Sequence, residues 1–511
     1  MGKPVPIKLP PGIFRNGTRY EAAGRWFDGN LIRWENGRLK PIGGWQQMGT
    51  GKVTGVARGG LAFTSDLGFT YVLIGTHSNL FVAEDDKFTD ITPSGFVGGR
   101  VDSIRGAGYG AGPYGVDTYG TPRSVASLAL DATTWQFDTF GDTAVMVSSS
   151  DRNIRQFDPS VGTVVIPAGS PTCAAVFTTN EDFLLAIGAN GIGRNIAWPD
   201  VGTTTVWTPT DLNAAGDINL VTNGLGVAGT RVGLVNLVWT TADVHTVNFV
   251  GQPAIYAPVR IGTGCGLVGP KAWAVAASGA SAGETAYWMS PSGFFQYSGA
   301  VTPLSCEVQD YLWKNINFTE SAKIICGVNS RFHEVIWFFP SLGSLEIDSY
   351  VIFNYKDNLW YFGLQSLLAR TTYIDQGPIP LPIGVAADGT VYEHETGYLA
   401  NGLTRLGQVW ASTGAAEVGD GETIVYSNMM QMDGDNLVAS DGTAVLTMQL
   451  TMQMNPQKVI GHVVVPLVPN KEGYTPLRFV GRQVSFRLDI LKDQDWALGK
   501  LKFDMASGGK R

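Results

Sequence analysis

An apolar run, a polar or glycine turn, and a second β-rich run recur seven times along the chain. The leading runs are Tyr71-Val-Leu-Ile-Gly75, Ala144-Val-Met-Val147, Phe183-Leu-Leu-Ala-Ile187, Leu234-Val-Asn-Leu-Val-Trp239, Ala286-Tyr-Trp-Met289, Val335-Ile-Trp-Phe338 and Pro382-Ile-Gly-Val385. From the second onward they begin roughly 40 to 50 residues apart, the spacing of a four-stranded propeller blade. One such strand pair cannot bury its faces alone, but stacked units can. The first unit continues with Asn79-Leu-Phe-Val-Ala83 and Phe88-Thr-Asp-Ile-Thr-Pro93, and the third with Asn195-Ile-Ala-Trp198 and Val206-Trp-Thr-Pro209. The sixth is the most apolar, with Val335–Phe339, Tyr350–Tyr355 and Leu359–Phe362. The pattern predicts an all-β chain with a β-propeller-like body over residues 51–398.

The flanks read differently. Pro4, Pro6, Pro10 and Pro11 forbid a helix and favour extended backbone at the N-terminus. Leu31–Trp34 and Arg38–Pro41 flank Glu35-Asn36-Gly37, and Asn-Gly supplies the positive φ angles of a tight hairpin. Residues 1–50 are therefore expected to form an extended arm and a hairpin. Residues 399–511 carry strict alternation at Leu446, Met448, Leu450, Met452 and Met454, and again at Val484, Phe486, Leu488 and Ile490. Period two predicts half-buried strands, and the region reads as a separate β-sandwich-like domain. Between the first two repeats lies a Gly/Tyr-rich loop, about residues 97–128. Its Gly110, Gly112 and Gly115 match a dinucleotide-binding pattern in form only. A phosphate needs a helix N-terminus just after the glycines, and Pro113 and Val116-Asp-Thr-Tyr-Gly120 provide none. Tyr109, Tyr114 and Tyr119 are the candidate lumen or interface residues of this loop.

Composition agrees with tight turns and covered surface. The 511 residues include 65 glycines and 11% aromatics, but only 16% charged residues, and charge is depleted where subunits meet. The net charge of −8 hides an asymmetry. Residues 1–60 hold ten Lys/Arg against Glu21, Asp28 and Glu35; residues 400–511 balance; residues 61–399 therefore carry −15. A basic leader beside an acidic body predicts docking, and Lys3, Lys8, Arg15, Arg19 and Arg25 are the candidate docking residues. Cys173, Cys265, Cys306 and Cys326 lie far apart with no paired spacing, which fits a reduced, metal-free protein. No secretory signal opens the chain, proline at position 6 breaks the myristoylation pattern, and no apolar stretch approaches the length of a membrane span.

Chemistry is scarce. The chain has no Gly-x-Ser-x-Gly elbow, no His-Glu-x-x-His helix and no Walker loop. Glu393, His394 and Glu395 adjoin, but a strand sends neighbours to opposite faces, and a solvated blade edge is the simpler reading. No catalytic residue, metal site or cofactor is expected, and the chain reads as not an enzyme.

Several stretches carry a resemblance: Leu9-Pro-Pro-Gly-Ile-Phe-Arg-Asn-Gly-Thr18, Gly24-Arg-Trp-Phe-Asp-Gly-Asn-Leu-Ile-Arg-Trp34, Pro41-Ile-Gly-Gly-Trp45, the Gly/Tyr loop, Gly262–Gly266, Gly293–Tyr297, Tyr392–Glu395, and Gly481–Val484 through Gly508-Gly509. Together they resemble the tail nozzle (tail tubular or hub) proteins of short-tailed bacteriophages, nearly end to end. The resemblance implies a structural virion protein made in the host cytoplasm, a homo-hexamer below the portal and its adaptor ring. It would hold fibres, spikes or a needle and let double-stranded DNA pass without sequence-specific binding. It brings no catalytic residues. The competing reading is a host-surface propeller that binds or cleaves glycans.

Overall fold

The computed structural model describes residues 3–84, 87–105, 129–277, 283–375, 381–417, 423–455 and 458–508. Each of the seven leading runs is the second strand of a four-stranded antiparallel sheet. The first strands of these sheets are Ala57–Thr64, Trp135–Phe140, Ala175–Thr178, Gly226–Val232, Trp273–Ala277, Ile325–Asn329 and Thr372–Ile374. Six of the seven neighbouring pairs pack side by side, including Thr372–Ile374 back against Ala57–Thr64; between the fourth and fifth sheets, Gly226–Val232 meets the second strand Glu284–Ser290. The body is thus a seven-bladed β-propeller with the first strands around its axis.

Ring closure uses a strand that precedes the repeats. The seventh blade has three strands from its own segment and takes its fourth from Trp45–Lys52, which pairs antiparallel with Thr390–His394. The boundary expected between residues 50 and 51 falls inside this strand. Trp45 pins it: the indole is buried, tilts against His394 at 5.8 Å, and carries the Arg370 guanidinium 4.8 Å from its centroid.

Close seams between blades explain two adjacent glycines. A Cβ on Gly60 would lie 2.5 Å from Ile374 Cδ1 of the seventh blade, and one on Gly59 would lie 2.6 Å from the Trp135 carbonyl of the second. Buried tryptophans fill other seams and bond to neighbouring connections: Trp135 Nε1 donates to the Thr76 carbonyl at 2.7 Å, and Trp288 Nε1 to that of Cys265 at 2.7 Å. In the third blade the fourth strand is Gly216–Asn219 rather than the expected Val206–Pro209. Trp207 instead folds under a loop, donating to Thr204 O at 2.7 Å.

The C-terminal region forms two six-stranded sheets, and the first 41 residues contribute to both. One sheet runs Ile32–Glu35, Arg38–Pro41, Ala497–Ser507, Val425–Asp435, Thr475–Gly481, with Lys3–Ile7 also paired to Ala497–Ser507. The other runs Trp26–Asn30, Trp410–Thr413, Gln483–Ile490, Leu446–Asn455, Lys458–Pro466, with Ala416–Glu417 beside Gln483–Ile490. The alternation at Leu446, Met448 and Leu450, and at Val484 through Ile490, points inward between these sheets. One continuous core joins sandwich and propeller through Trp26, Trp34 and Tyr361, with Trp34 and Tyr361 ring centroids 5.6 Å apart. This docking explains the sixth blade's apolar sequence, since Glu334–Phe339 and Ser349–Asn354 are buried along their whole length. Among the described residues no helix is long and apolar enough to cross a membrane.

If Trp45 pins the closing strand, Trp45→Ala removes both its packing and its contacts to Arg370 and His394. The variant is expected to lose about 3–5 kcal/mol in urea unfolding; a loss under about 1 kcal/mol would show that closure does not depend on this residue.

Candidate functional site

Two polar constellations stand out, and neither follows from a sequence motif. The first joins sandwich to propeller. Arg33, on the hairpin strand Ile32–Glu35, reaches Glu334 at the start of the sixth blade's second strand, with Nε and Nη2 each 2.9 Å from a carboxylate oxygen. The same guanidinium donates to Glu395 from Nη1 at 2.9 Å and Nη2 at 2.6 Å. Glu395 lies just past the seventh blade's third strand with φ 60°, so its direction departs from strand alternation. Side-chain exposures of 3%, 0% and 5% for Arg33, Glu334 and Glu395 mark a sealed triad. Tyr361 donates its hydroxyl to Glu334, Asn329 Nδ2 donates to Glu395 at 2.8 Å, and the Phe332 ring lies 3.7 Å from the guanidinium carbon. Burial pushes the Glu334 carboxyl up, and Arg33 offsets this only in part. The two carboxylates bind one arginine inside the core, where no substrate reaches them.

The neighbouring His394 is also buried, which overturns the solvated-edge reading of Glu393-His394-Glu395. Its Nε2 accepts from Arg370 Nε at 2.9 Å, which fixes the imidazole as neutral. Burial, then the Arg370 charge, holds its pKa well below the ordinary histidine value.

The second constellation lies along the propeller axis. Antiparallel blades put the first-to-second and third-to-fourth turns at one end and the blade-to-blade connections at the other. At the connection end, the stem of the Gly/Tyr loop is strapped down by charge. Arg58 donates to Glu346 at 2.8 and 2.6 Å and to the Val101 carbonyl at 3.1 Å. Lys323, wholly buried, bonds to Asp102 at 2.5 Å and lies 3.2 Å from Glu320, whose carboxylate accepts from Ser103 N–H at 3.0 Å. The stem pairs Ile104–Arg105 with Ala129–Leu130.

At the turn end an open mouth of about 530 Å³ is lined by Asp138, Asn180, Arg231, Glu284, Ser330 and Asp375 among others, one from each of blades two to seven. It shares Asp375 and Val328 with a smaller cavity of about 90 Å³ deeper along the axis, lined also by Lys271, Cys326 and Tyr373. Asp138 accepts from the Thr178 and Thr139 N–H groups at 2.8 Å each and lies 3.7 Å from Arg231. Asp375 Oδ2 accepts from Ser330 N–H at 2.7 Å and Oγ at 2.5 Å. Burial raises both carboxyls and lowers the Lys271 ammonium to about 8, although Asp138 opposes that fall. Among the described residues no group of three His, Cys, Asp or Glu is placed to hold a metal ion.

The sequence-predicted docking residues divide. Arg25 is engaged by Glu307 of the propeller at 2.8 and 2.5 Å, and Arg15 packs on Phe27 and Tyr311 with Asp28 at 3.6 Å. Both act within the chain. Lys8 and Arg19 are exposed, and Lys3 starts the strand paired with Ala497–Ser507. Tyr109, Tyr114 and Tyr119 lie outside the described residues. Asp138, Arg231, Lys271 and Asp375 escaped sequence reasoning because a group at the inner end of each blade has its partners 40 to 240 residues away.

No family model matches the chain, and no curated protein matches its sequence. Among solved structures it is similar to the selenomethionine-substituted virginiamycin B lyase from Staphylococcus aureus, at 10% identity and TM-score 0.39, covering 68% of this chain and 98% of that one. It is similar also to a streptogramin B lyase, at 8% identity and TM-score 0.39, covering 68% and 96%. These neighbours are enzymes, so the expectation that the chain is not an enzyme is withdrawn. At such identities the likeness is one of fold, and no lyase chemistry is transferred to this chain.

Two outcomes test the junction. Arg33→Met leaves two buried carboxylates uncompensated and is expected to cost about 3–5 kcal/mol in urea unfolding, with Arg33→Met/Glu334→Gln/Glu395→Gln recovering much of that loss. A single variant as stable as the parent would mean the triad contributes nothing. His394 sets a pH dependence. The unfolded chain takes up a proton near pH ~6.5 that the folded chain refuses, so stability is full above that pH and falls below it. Tm is expected to drop between pH ~7.5 and ~5.5, and His394→Gln to flatten the drop. The slope should not vanish, because burial lowers His77 and His245 too.

Proposed function

We propose that this protein is a structural subunit of a short-tailed phage tail nozzle, assembling as a ring below the portal and adaptor and holding fibres, spikes or a needle. The sequence resemblance points to the class. The observation that supports assembly is the edge strand Lys458–Pro466. Among the described residues it pairs on one side only, with Leu446–Asn455, and exposes Val459 (48%), Ile460 (49%) and Val464 (63%). Proteins normally blunt such an edge with charge, proline or a bulge. This strand carries Lys458 and Pro466 at its ends and a register irregularity at Ile460, but between them Val459 to Val464 holds no full charge, so its exposed valines and isoleucine suit a second copy of the chain better than water. Closed rings need two different complementary patches per subunit. Lys8 and Arg19, both exposed, with Arg19 resting 5.5 Å from the Phe27 ring centroid, suit the partner side or the adaptor.

In this reading DNA runs between copies and not through a propeller. The first strands crowd the propeller axis, and its inner cavity of about 90 Å³ has no room for a duplex. A ring lumen walled by propellers would share the −15 of residues 61–399. That repels phosphate and avoids the salt-dependent grip that lysine and arginine contacts create. The sealed Arg33 junction holds sandwich and propeller at a fixed angle, as a ring subunit requires.

Mass photometry tests this directly. The expected result is a species near six times the 54.7 kDa subunit mass, alone or with adaptor complexes, and its loss to monomer in Ile460→Lys/Val464→Lys with an unchanged melting curve. A parent protein that stays monomeric beside assembled adaptor rings sinks the proposal.

A further inference from the structure

The open mouth at the turn end of the propeller has no part in ring assembly as argued above, yet it is built like a binding site. Six blades each place at least one polar group on it, and a volume of about 530 Å³ is that of a small-ligand pocket. The groups are not a set of matched ion pairs. Asp375 spends Oδ2 on Ser330, and Glu284 spends Oε2 on the Gly233 N–H at 2.8 Å. Among the described residues nothing bonds the second oxygen of either carboxylate, which is left to accept. Arg231 is held only loosely by Asp138, at 3.7 Å, with 37% of its side chain exposed. Asn180 uses one amide hydrogen on the Gly233 carbonyl at 2.9 Å and keeps the other. Deeper in, the Lys271 ammonium faces the inner cavity, 5.8 Å from the Trp273 ring centroid.

Donors and acceptors therefore share one cavity. The mouth's own lining sets three carboxylates, Asp138, Glu284 and Asp375, against Arg231, and Lys271 of the adjoining inner cavity brings the two cavities together to within one charge of neutrality, so neither a strong anion nor a strong cation is matched. A hydroxyl group both donates and accepts, and several on a rigid ring satisfy such a rim at once. From this geometry we infer that the mouth binds a neutral polyhydroxylated ligand, a single sugar unit held between Arg231, Glu284 and Asp375. The inference stands apart from ring assembly: it concerns one propeller and holds for a monomer or a hexamer.

Saturation-transfer NMR on the full chain tests it, with D-glucose, D-galactose, L-rhamnose and N-acetyl-D-glucosamine as neutral probes. N-Acetylneuraminic acid and putrescine are the anionic and cationic controls. The expected result is transfer to at least one neutral sugar, with Arg231→Ala/Glu284→Gln raising its Kd by at least about tenfold while the melting curve is kept. Both positions lie at the rim, and glutamine still accepts from Gly233, so the variant should fold. Transfer that is absent for every neutral sugar, equal in parent and variant, or stronger for either charged control overturns the inference.

Discussion

The architecture depends on one guanidinium. Arg33 belongs to a hairpin that completes the sandwich, but four of its five donors are spent on Glu334 and Glu395 of the propeller. Removing three charges from water is costly, and such pairs often contribute little net stability against an apolar replacement. What the triad does give is register. A bidentate fork on two carboxylates from different blades has one solution, so the hairpin, and with it the sandwich, has one seat. Around that seat the packing is apolar and tolerant, with Trp26, Trp34 and Tyr361 sharing faces. The charges set the position, and the aromatic area supplies the driving force.

The same hairpin constrains ring closure. Only three residues separate it from Trp45–Lys52, so seating Arg33 delivers the closing strand to Thr390–His394. The N-terminal segment is thus shared between the two bodies: its first four strands join the sandwich and its fifth completes the propeller. Neither body is complete without it. Contacts between residues roughly 350 to 500 positions apart must form before either closes, which makes closure a long-range event in folding.

Much of the propeller was readable because each blade repeats a local signal. The second strand lies between two others and is buried on both faces, so it must be apolar, and all seven were found by that rule. What was missed lacked such a signal. Trp45–Lys52 reads Trp-Gln-Gln-Met-Gly-Thr-Gly-Lys, an outer strand whose polar and glycine content looks like a loop. Its identity depends on a partner far along the chain. Val206–Pro209 reads as a strand because an aromatic in a short apolar run meets the same local rule, although Trp207 closes a loop. Glu395 was placed by alternation, which stops one residue earlier where φ turns positive.

The axial mouth was unreadable for a deeper reason. Its groups come one per blade, so their spacing is that of the repeat itself and looks like background. Asp138, Arg231 and Asp375 occupy comparable places near the inner ends of first strands, yet they differ in charge, so no residue type recurs. A packed core needs the same apolar character at equivalent positions in every blade, and that uniformity makes the fold visible. A site needs different chemistry at those positions, and that variety hides it. Radial repetition therefore separates the two problems: the scaffold is written seven times, and whatever the mouth recognises is written once, in the differences between blades.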